Sequence, residues 1–595
     1  MWKMVLSAAL ASGALFGGSA GDGLAQERKA LLTQVYTRGL ARIAQDEAAR
    51  RNPAPRVRPT RVIDLKPGVN PVGATLRFDG AAQDGLLIRG AADGSSVLSG
   101  EELVPASAFA RPSDARVLER FPSAVRARVV CTPAGGLKPL EGYGVGVPRT
   151  CGVLVFDAEG NLLPHARWPE AGCRPTVWKE GVFRFVDPAP AVPSGTPVLA
   201  YGYWRYFWAD AALPAEATAD GGFRLLEPHG YGFAEKGIAA LYGVPEVADR
   251  PGAWCVVDDV LYLVKPEGAF NGVRVPRFGG TLLKLANVRN ARLENVTLCG
   301  TQGTALEAEG CAGLVLDRVR IRRAGGNGAV LRNCTDARLD GCDFAETGHT
   351  ALILSGGDRA TLAPGGMSVR GCRFARPGRL QRTYTPAILL EGCGGTVADC
   401  AFDDMPSSAL RIEGNDHLVR DCTFTRTVLE SDDQGTVDIW GDPTYRGNVF
   451  FRNTFRDVGG DGNNGCGRAA IRFDDMISGM AVVSNTFIRC AQGNFGAVQM
   501  NGGHYNAIVG NVFVDCAKGV TCGPWGEGKW SEVLASDEVR RKRRVAAENP
   551  VYAARYPEID RISSENGVQL LEGNVYRNVP VRHTGLSKEA LIRDP

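Results

Sequence analysis

Short segments in which apolar and polar side chains alternate recur along the second half of the chain. They read "ALEAEG" (305–310), "ALILSG" (351–356), "AILLEG" (387–392), "ALRIEG" (409–414), "TVDIWG" (436–441), "AIRFDD" (470–475) and "AVQMNG" (497–502). Alternation over so short a run predicts a strand with one buried face, and the Gly closing six of the seven predicts a turn. A second motif recurs between them: "GCDF" (341–344), "GCRF" (371–374), "DCAF" (399–402), "DCTF" (421–424), "RNTF" (452–455), "SNTF" (484–487), "GNVF" (510–513) and "GNVY" (573–576). Successive copies stand 22–32 residues apart, with one gap of 63. A repeat of that length, with two or more short strands and no helical period, predicts an all-β parallel β-helix, a pectate-lyase-like solenoid. Each coil then stacks on the last at about 4.8 Å. The preference for right-handed crossovers sets its hand.

In such a stack, equivalent positions form columns. The aromatic fourth position of the second motif predicts an interior ring column. The second position predicts an amide ladder from Asn453, Asn485, Asn511 and Asn574, continued by Cys342, Cys372, Cys400 and Cys422 as small buried hydrophobes. The remaining segments break this rhythm. Residues 61–105 read as first coils. Residues 106–265, rich in Pro and aromatics ("PHARWPE", "YGYWRYFWAD"), read as an inserted β-rich domain. Residues 266–586 read as the main β-helix with a helical excursion about 523–560, and 587–595 as a tail. Residues 26–60 read as a helical cap on the open end. Residues 1–25, with Lys3, an apolar run and "GLA" before Gln26, read as a secretory signal, so the protein is expected to be exported to the periplasm or beyond.

Composition narrows the partners. Lys+Arg 68 against Asp+Glu 65 leaves a net charge of +3 on 595 residues, and the basic run "RRKRR" (540–544) reads as a solvated face. Nucleic acid and membrane insertion are not expected, and a monomer is. The 16 Cys contain no C-x-x-C pair, which argues against zinc. No cofactor is required, with calcium as an optional aid.

The candidate chemistry lies in "ESDDQGTVDIWGD" (430–442), which packs Glu430, Asp432, Asp433, Asp438 and Asp442 into one strand and its approaches. Positions 3 and 5 of each alternating segment point away from the core. Position 3 reads Leu389, Arg411, Asp438, Arg472, Gln499, and position 5 reads Glu391, Glu413, Trp440, Asp474, Asn501. A stripe of acids, arginines and one Trp is expected to line a solvent groove. Arg411 and Arg472 are expected to keep Asp438 ionised. Trp440 is expected to desolvate Asp474 and to stack on a sugar. Asp433, in the entering turn, leans over the same groove. Paired carboxylates across a groove suit glycosidic bond hydrolysis, and stacking places Asp438 roughly 8 Å from Asp474. Asp475, His417 and His504 are further substrate contacts on this reading.

These residues also carry a resemblance. "EGNDHLVRDCTF", "ESDDQGTVDIWGDPTYRGN", "IRFDDMISGMAVVSNTF" and "MNGGHYNAIVGNVFVDC" resemble β-helix proteins around glycoside hydrolase family 141, a group of α-L-fucosidases and xylanases. The resemblance touches the insert as well ("ARWPE", "RPGAWCVVDDVLYLVKPEG") and implies Asp433 and Asp474 as the catalytic carboxylates. The chain departs from that family at Asp438, where an aromatic is usual, and at Gly441 and His504, where Arg is usual. Two other classes compete. A polysaccharide lyase or uronate epimerase would use Arg411, Arg472 or His504 as base. A non-catalytic solenoid would only bind carbohydrate.

Overall fold

The computed structural model describes residues 20–51, 57–145, 151–460, 465–523, 527–563, 565 and 567–595. Its main body is a right-handed parallel β-helix of three sheets with 13, 12 and 14 strands. One coil shows the plan: Leu418–Arg420 lies on the first sheet, Thr423–Thr427 on the second and Gln434–Ile439 on the third. Leu76–Asp79 pairs in parallel with Leu283–Ala286, and Leu86–Arg89 with Arg292–Glu294. The solenoid therefore resumes directly on its own first coils after the long intervening segment.

The interior columns follow from the register. Phe344, Phe374, Phe402, Phe424, Phe455, Phe487, Phe513 and Tyr576 stack with successive centroids 4.7–5.2 Å apart. Each stacked contact adds about 0.5–1.5 kcal/mol beyond the area it buries. Beside them, Asn453 Nδ2 donates to Asn485 Oδ1 at 3.0 Å, Asn485 to Asn511 at 3.1 Å and Asn511 to Asn574 at 3.0 Å. The ladder and the backbone carbonyls of Val419, Phe450 and Val482, which accept the remaining Nδ2 hydrogens, together satisfy these buried amides. Cys342, Cys372, Cys400 and Cys422 extend it as buried free thiols.

Between the first coils and the rest, the chain builds antiparallel sheet. Pro197–Tyr203 pairs with Asp210–Ala217 and with Lys236–Tyr242 around a separate core that includes Phe183, Trp204, Leu213 and Leu241. This body is fastened to the solenoid by Asp210. Its carboxylate accepts the backbone N–H groups of Arg382 at 2.6 Å and Thr383 at 3.1 Å.

The helix Ala20–Arg51 does not cap the open end. It lies along the first sheet of the later coils, with Leu32 and Val35 against Tyr505 and Ala507, and Ile43 against Leu418, Val449 and Ala481. Its buried Leu32, Val35 and Ile43, spaced by about one and then about two turns, share one side of the helix and meet that face. The proposed leader falls largely outside the described residues, and the part that is described, from Ala20, opens this helix. The long gap in the repeat holds the helices Glu527–Ala535, Asp537–Glu548 and Pro550–Arg555. Ser536 caps the second by accepting from Val539 N–H, with Asp537 and Glu538 in its first turn. Arg540, Arg541 and Arg544 face solvent, while Lys542 Nζ donates to the Gly441 carbonyl at 2.8 Å. Among the described residues, no helix is long and apolar enough to cross a membrane.

Candidate active site

Four neighbouring strands of the third sheet build the site: β1 (Leu410–Asn415), β2 (Gln434–Ile439), β3 (Gly467–Phe473) and β4 (Val498–Asn501). Leu389 pairs with Arg411, Arg411 with Asp438, Asp438 with Arg472, and Arg472 with Gln499. This is the column expected from the repeat. Its exposure is not. Arg411 is 9 % exposed, Asp438 3 %, Arg472 4 % and Gln499 4 %. The aromatic Trp440 lies 3.6 Å from the Arg411 guanidinium, and Phe495 lies 5.8 Å from that of Arg472. Such cover removes the water that a bare outer face would have.

The acids of the 430–442 stretch are separated by role. Glu430 pairs with Arg382. Asp432 accepts the backbone N–H groups of Gly465, Cys466 and Gly467 at 2.7–2.9 Å and so pins the turn before β3. Asp442 accepts from Thr444 N–H at 2.9 Å and closes the turn after β2. Asp438 binds Arg472 Nη1 at 3.2 Å, with Arg411 Nη1 at 4.0 Å on its other oxygen. Asp433 binds Arg472 Nη2 at 2.8 Å. Asp474 binds the same Nη2 and also accepts from Asn501 Nδ2 at 2.9 Å. Gln499 Nε2 holds Asn501 Oδ1 at 2.7 Å. Glu413 accepts from Arg411 Nε at 3.1 Å.

One guanidinium thus gathers three carboxylates, Asp438 on one terminal nitrogen and Asp433 and Asp474 on the other. Two oxygens on one nitrogen lie no more than about 6 Å apart, so the bonded oxygens of Asp433 and Asp474 stand within that distance. Their side chains are 24 % and 17 % exposed, against 4 % for Asp438, so these two are the acids a ligand can reach. Burial pushes the Asp433 carboxyl above its usual range against the pull of Arg472, and the Asp474 and Asp438 charges add to the rise. Burial raises Asp438 too and outweighs the opposing pull of Arg472 and Arg411. Asp433 (φ 52°) and Asp475 (φ 49°) occupy left-handed backbone, which Asp tolerates. Val428 at φ 55° has no such excuse and marks a strained entry to the turn.

Both histidines read as substrate contacts are elsewhere. His417 is 1 % exposed and its Nδ1 accepts Gly395 N–H at 2.9 Å, while burial drives its pKa to about 3. His504 is fully buried, with Nε2 3.2 Å from the Glu558 carbonyl. The turns that carry them lie beneath the helix Ala20–Arg51 and the helical excursion, whose elements bring in Arg42 and Glu558. Neither side chain reaches the groove.

What periodicity did not reveal are the walls. On one side the insert delivers Tyr206, Phe207 and Trp208, and the Phe207 carbonyl accepts Asp432 N–H at 3.2 Å. Trp208 meets Tyr384 at 6.1 Å, and Tyr384 meets Trp440 at 6.1 Å. On the other side Leu534 and Val539 pack on Met476, beside Asp474 and Asp475. The dense aromatics of "YGYWRYFWAD" were the available signal, but nothing in the repeat says where an insert docks.

A cavity of about 960 Å³ opens between insert and solenoid, lined by Tyr201, Tyr203, His165, Arg382 and Glu430 among others, and none of Asp433, Asp438 or Asp474 lines it. Arg382 pairs there with Glu430 and Arg167 donates to Tyr242, whereas in the groove three carboxylates meet one arginine, which makes the groove the candidate site. Among the described residues, no three His, Cys, Asp or Glu converge to hold a metal ion.

Comparison with known proteins agrees with this architecture. The family model described as "Right handed beta helix region" matches residues 386–533, which include all four site strands. No curated protein matches in sequence. A solved structure named "Glycoside hydrolase" covers 86 % of this chain and 96 % of its own, with TM-score 0.58 at 14 % identity. The complex of XylC with xylose covers 89 % and 80 %, with TM-score 0.47 at 10 % identity. The catalytic unit of the GH87 alpha-1,3-glucanase from Streptomyces thermodiastaticus strain HF3-3 covers 78 % and 95 %, with TM-score 0.27 at 10 % identity. At these identities the first likeness establishes a shared fold. The class is therefore a right-handed parallel β-helix protein with a carboxylate–arginine groove on its third sheet.

Proposed function

We propose that this protein is an exported glycoside hydrolase that cleaves O-glycosidic bonds of a plant or algal type polysaccharide or its side chains, in the manner of a fucosidase or xylanase. The observation that carries the reading is the joint hold of Arg472 on Asp433 and Asp474, the two more exposed of the three acids it gathers. Asp433, with its carboxyl raised by burial, is the proton donor to the leaving oxygen. Asp474, oriented by Asn501, activates water or attacks the sugar carbon. Arg472 compensates the charge that remains in a water-poor setting. Glu413, a third exposed and bound to Arg411, is placed to contact a bound sugar.

The lyase reading is less well supported. Arg472 spends both terminal nitrogens on carboxylates, and His504 is sealed from solvent. The test is release of reducing sugar from fucosylated, xylan and uronate polysaccharides by the purified protein, with absorbance of unsaturated uronides followed in parallel. Sugar release without that absorbance is expected. Unsaturated products, or no turnover of any polymer, overturn the proposal.

A further inference from the structure

The segment Arg205–Trp208 leaves unusual surface in water. Its neighbours Tyr203 and Trp204 are buried, yet Tyr206 and Phe207 are each 37 % exposed and Tyr231, facing them, is 40 % exposed. The insert's core is complete without these rings, so packing does not account for them. Tyr206 and Trp208 lie face to face with centroids 4.6 Å apart and planes 7° apart. Tyr231 closes edge-on against Trp208 at 4.8 Å and against Tyr206 at 5.8 Å. The contacts hold the group rigid, at little further ordering cost to a ligand. From Trp208 the aromatic run continues through Tyr384 to Trp440, which lies under Arg411 at the end of the carboxylate column.

We propose that Tyr206, Trp208 and Tyr231 form a sugar-binding platform that holds the part of a glycan chain flanking the bond to be cut, so the insert rather than the solenoid sets which polymer is accepted. The inference rests on the hydrolase reading above and extends it to the substrate, which must be a chain of several sugars. The occupant follows from the chemistry. Flat rings with hydroxyl tips offer apolar area to sugar C–H faces and hydrogen bonds to sugar hydroxyls. The platform is continuous, through Tyr384 and Trp440, with the groove that holds the reactive acids.

The test is affinity gel electrophoresis of the full chain through arabinoxylan, xyloglucan and rhamnogalacturonan gels. Asp433→Asn serves as parent, so that the polymer is not consumed. Retardation of the parent in at least one gel is expected, weakened about tenfold in the added pair Tyr206→Ala and Tyr231→Ala. The pair Tyr206→Phe and Tyr231→Phe is expected to keep most of it. Circular dichroism and melting should match the parent, since these rings lie outside the core. An alanine pair retarded as strongly as the parent overturns the platform, as does a parent retarded in no gel; if the wild type still releases sugar, the hydrolase reading survives either result. Ring-dependent retardation without sugar release from the wild type leaves the platform standing and overturns the hydrolase.

Discussion

Asp433 and Asp474 are hydrogen-bonded to the same nitrogen, Nη2 of Arg472. One acid arrives from the turn before β2 and the other from the end of β3. Strand stacking sets the distance between their strands, while Arg472 draws their side chains together. The consequences can be measured.

Asp433→Asn and Asp474→Asn should each lower kcat/KM by about 10²–10⁴-fold with the fold intact. Asp432→Asn should behave differently. Its carboxylate holds three backbone N–H groups, so the loss falls on stability, by about 1–3 kcal/mol, read in a denaturant melt. Equal loss of turnover with unchanged stability in all three would show that the roles are not divided this way.

Because burial raises the Asp433 carboxyl, its acid form persists to higher pH than a free Asp would allow. Activity that needs this proton is full below the raised pKa and declines as pH rises through it. The alkaline limb of kcat/KM should therefore stand above the ordinary carboxylate range. A limb near the value of a free aspartate would remove Asp433 from the donor role.

Arg472→Met should cost about 3–5 kcal/mol, since it strands buried carboxylates without their counter-charge. As Arg472 pulls Asp433 downward, its loss should also move the alkaline limb further up. Thermal melts and pH–rate profiles of the same variant separate the two effects.

In the amide ladder, Asn485 Oδ1 accepts from Asn453 N–H at 2.9 Å, and its Nδ2 donates to the Phe450 carbonyl at 2.9 Å. Asn485→Ala leaves buried groups unpaired and should cost about 1–3 kcal/mol for each. Chemical denaturation should show a lower midpoint with the slope unchanged.

His417 and His349 are held neutral by burial, at about 3 and about 4. The unfolded chain protonates them near the ordinary 6.5, so stability is complete above that pH. It should fall as pH drops toward those values, by about 1.4 kcal/mol per pH unit for each histidine. Stability that stays flat between pH 6.5 and 4 would show that these rings are not buried neutral.

The β-helix, the Phe column, the Asn ladder and the Arg411–Asp438–Arg472–Gln499 column were all legible from the repeat. Parallel, in-register coils make equivalent positions into neighbours, so a periodicity in one dimension reports contacts in three. The two acids that reach the groove were named from the sequence, but their common arginine contact was not, because Asp433 approaches through an irregular turn with no repeat to index it. The burial of Asp438, His417 and His504 was also out of sight. Side-chain alternation tells which way a residue points, not whether another element lies on top of it. The insert, the helix Ala20–Arg51 and the helical excursion supply that cover, along with the aromatic wall. Their docking depends on particular contacts between distant segments, such as Asp210 with Thr383 and Lys542 with Gly441, that only the folded chain brings together.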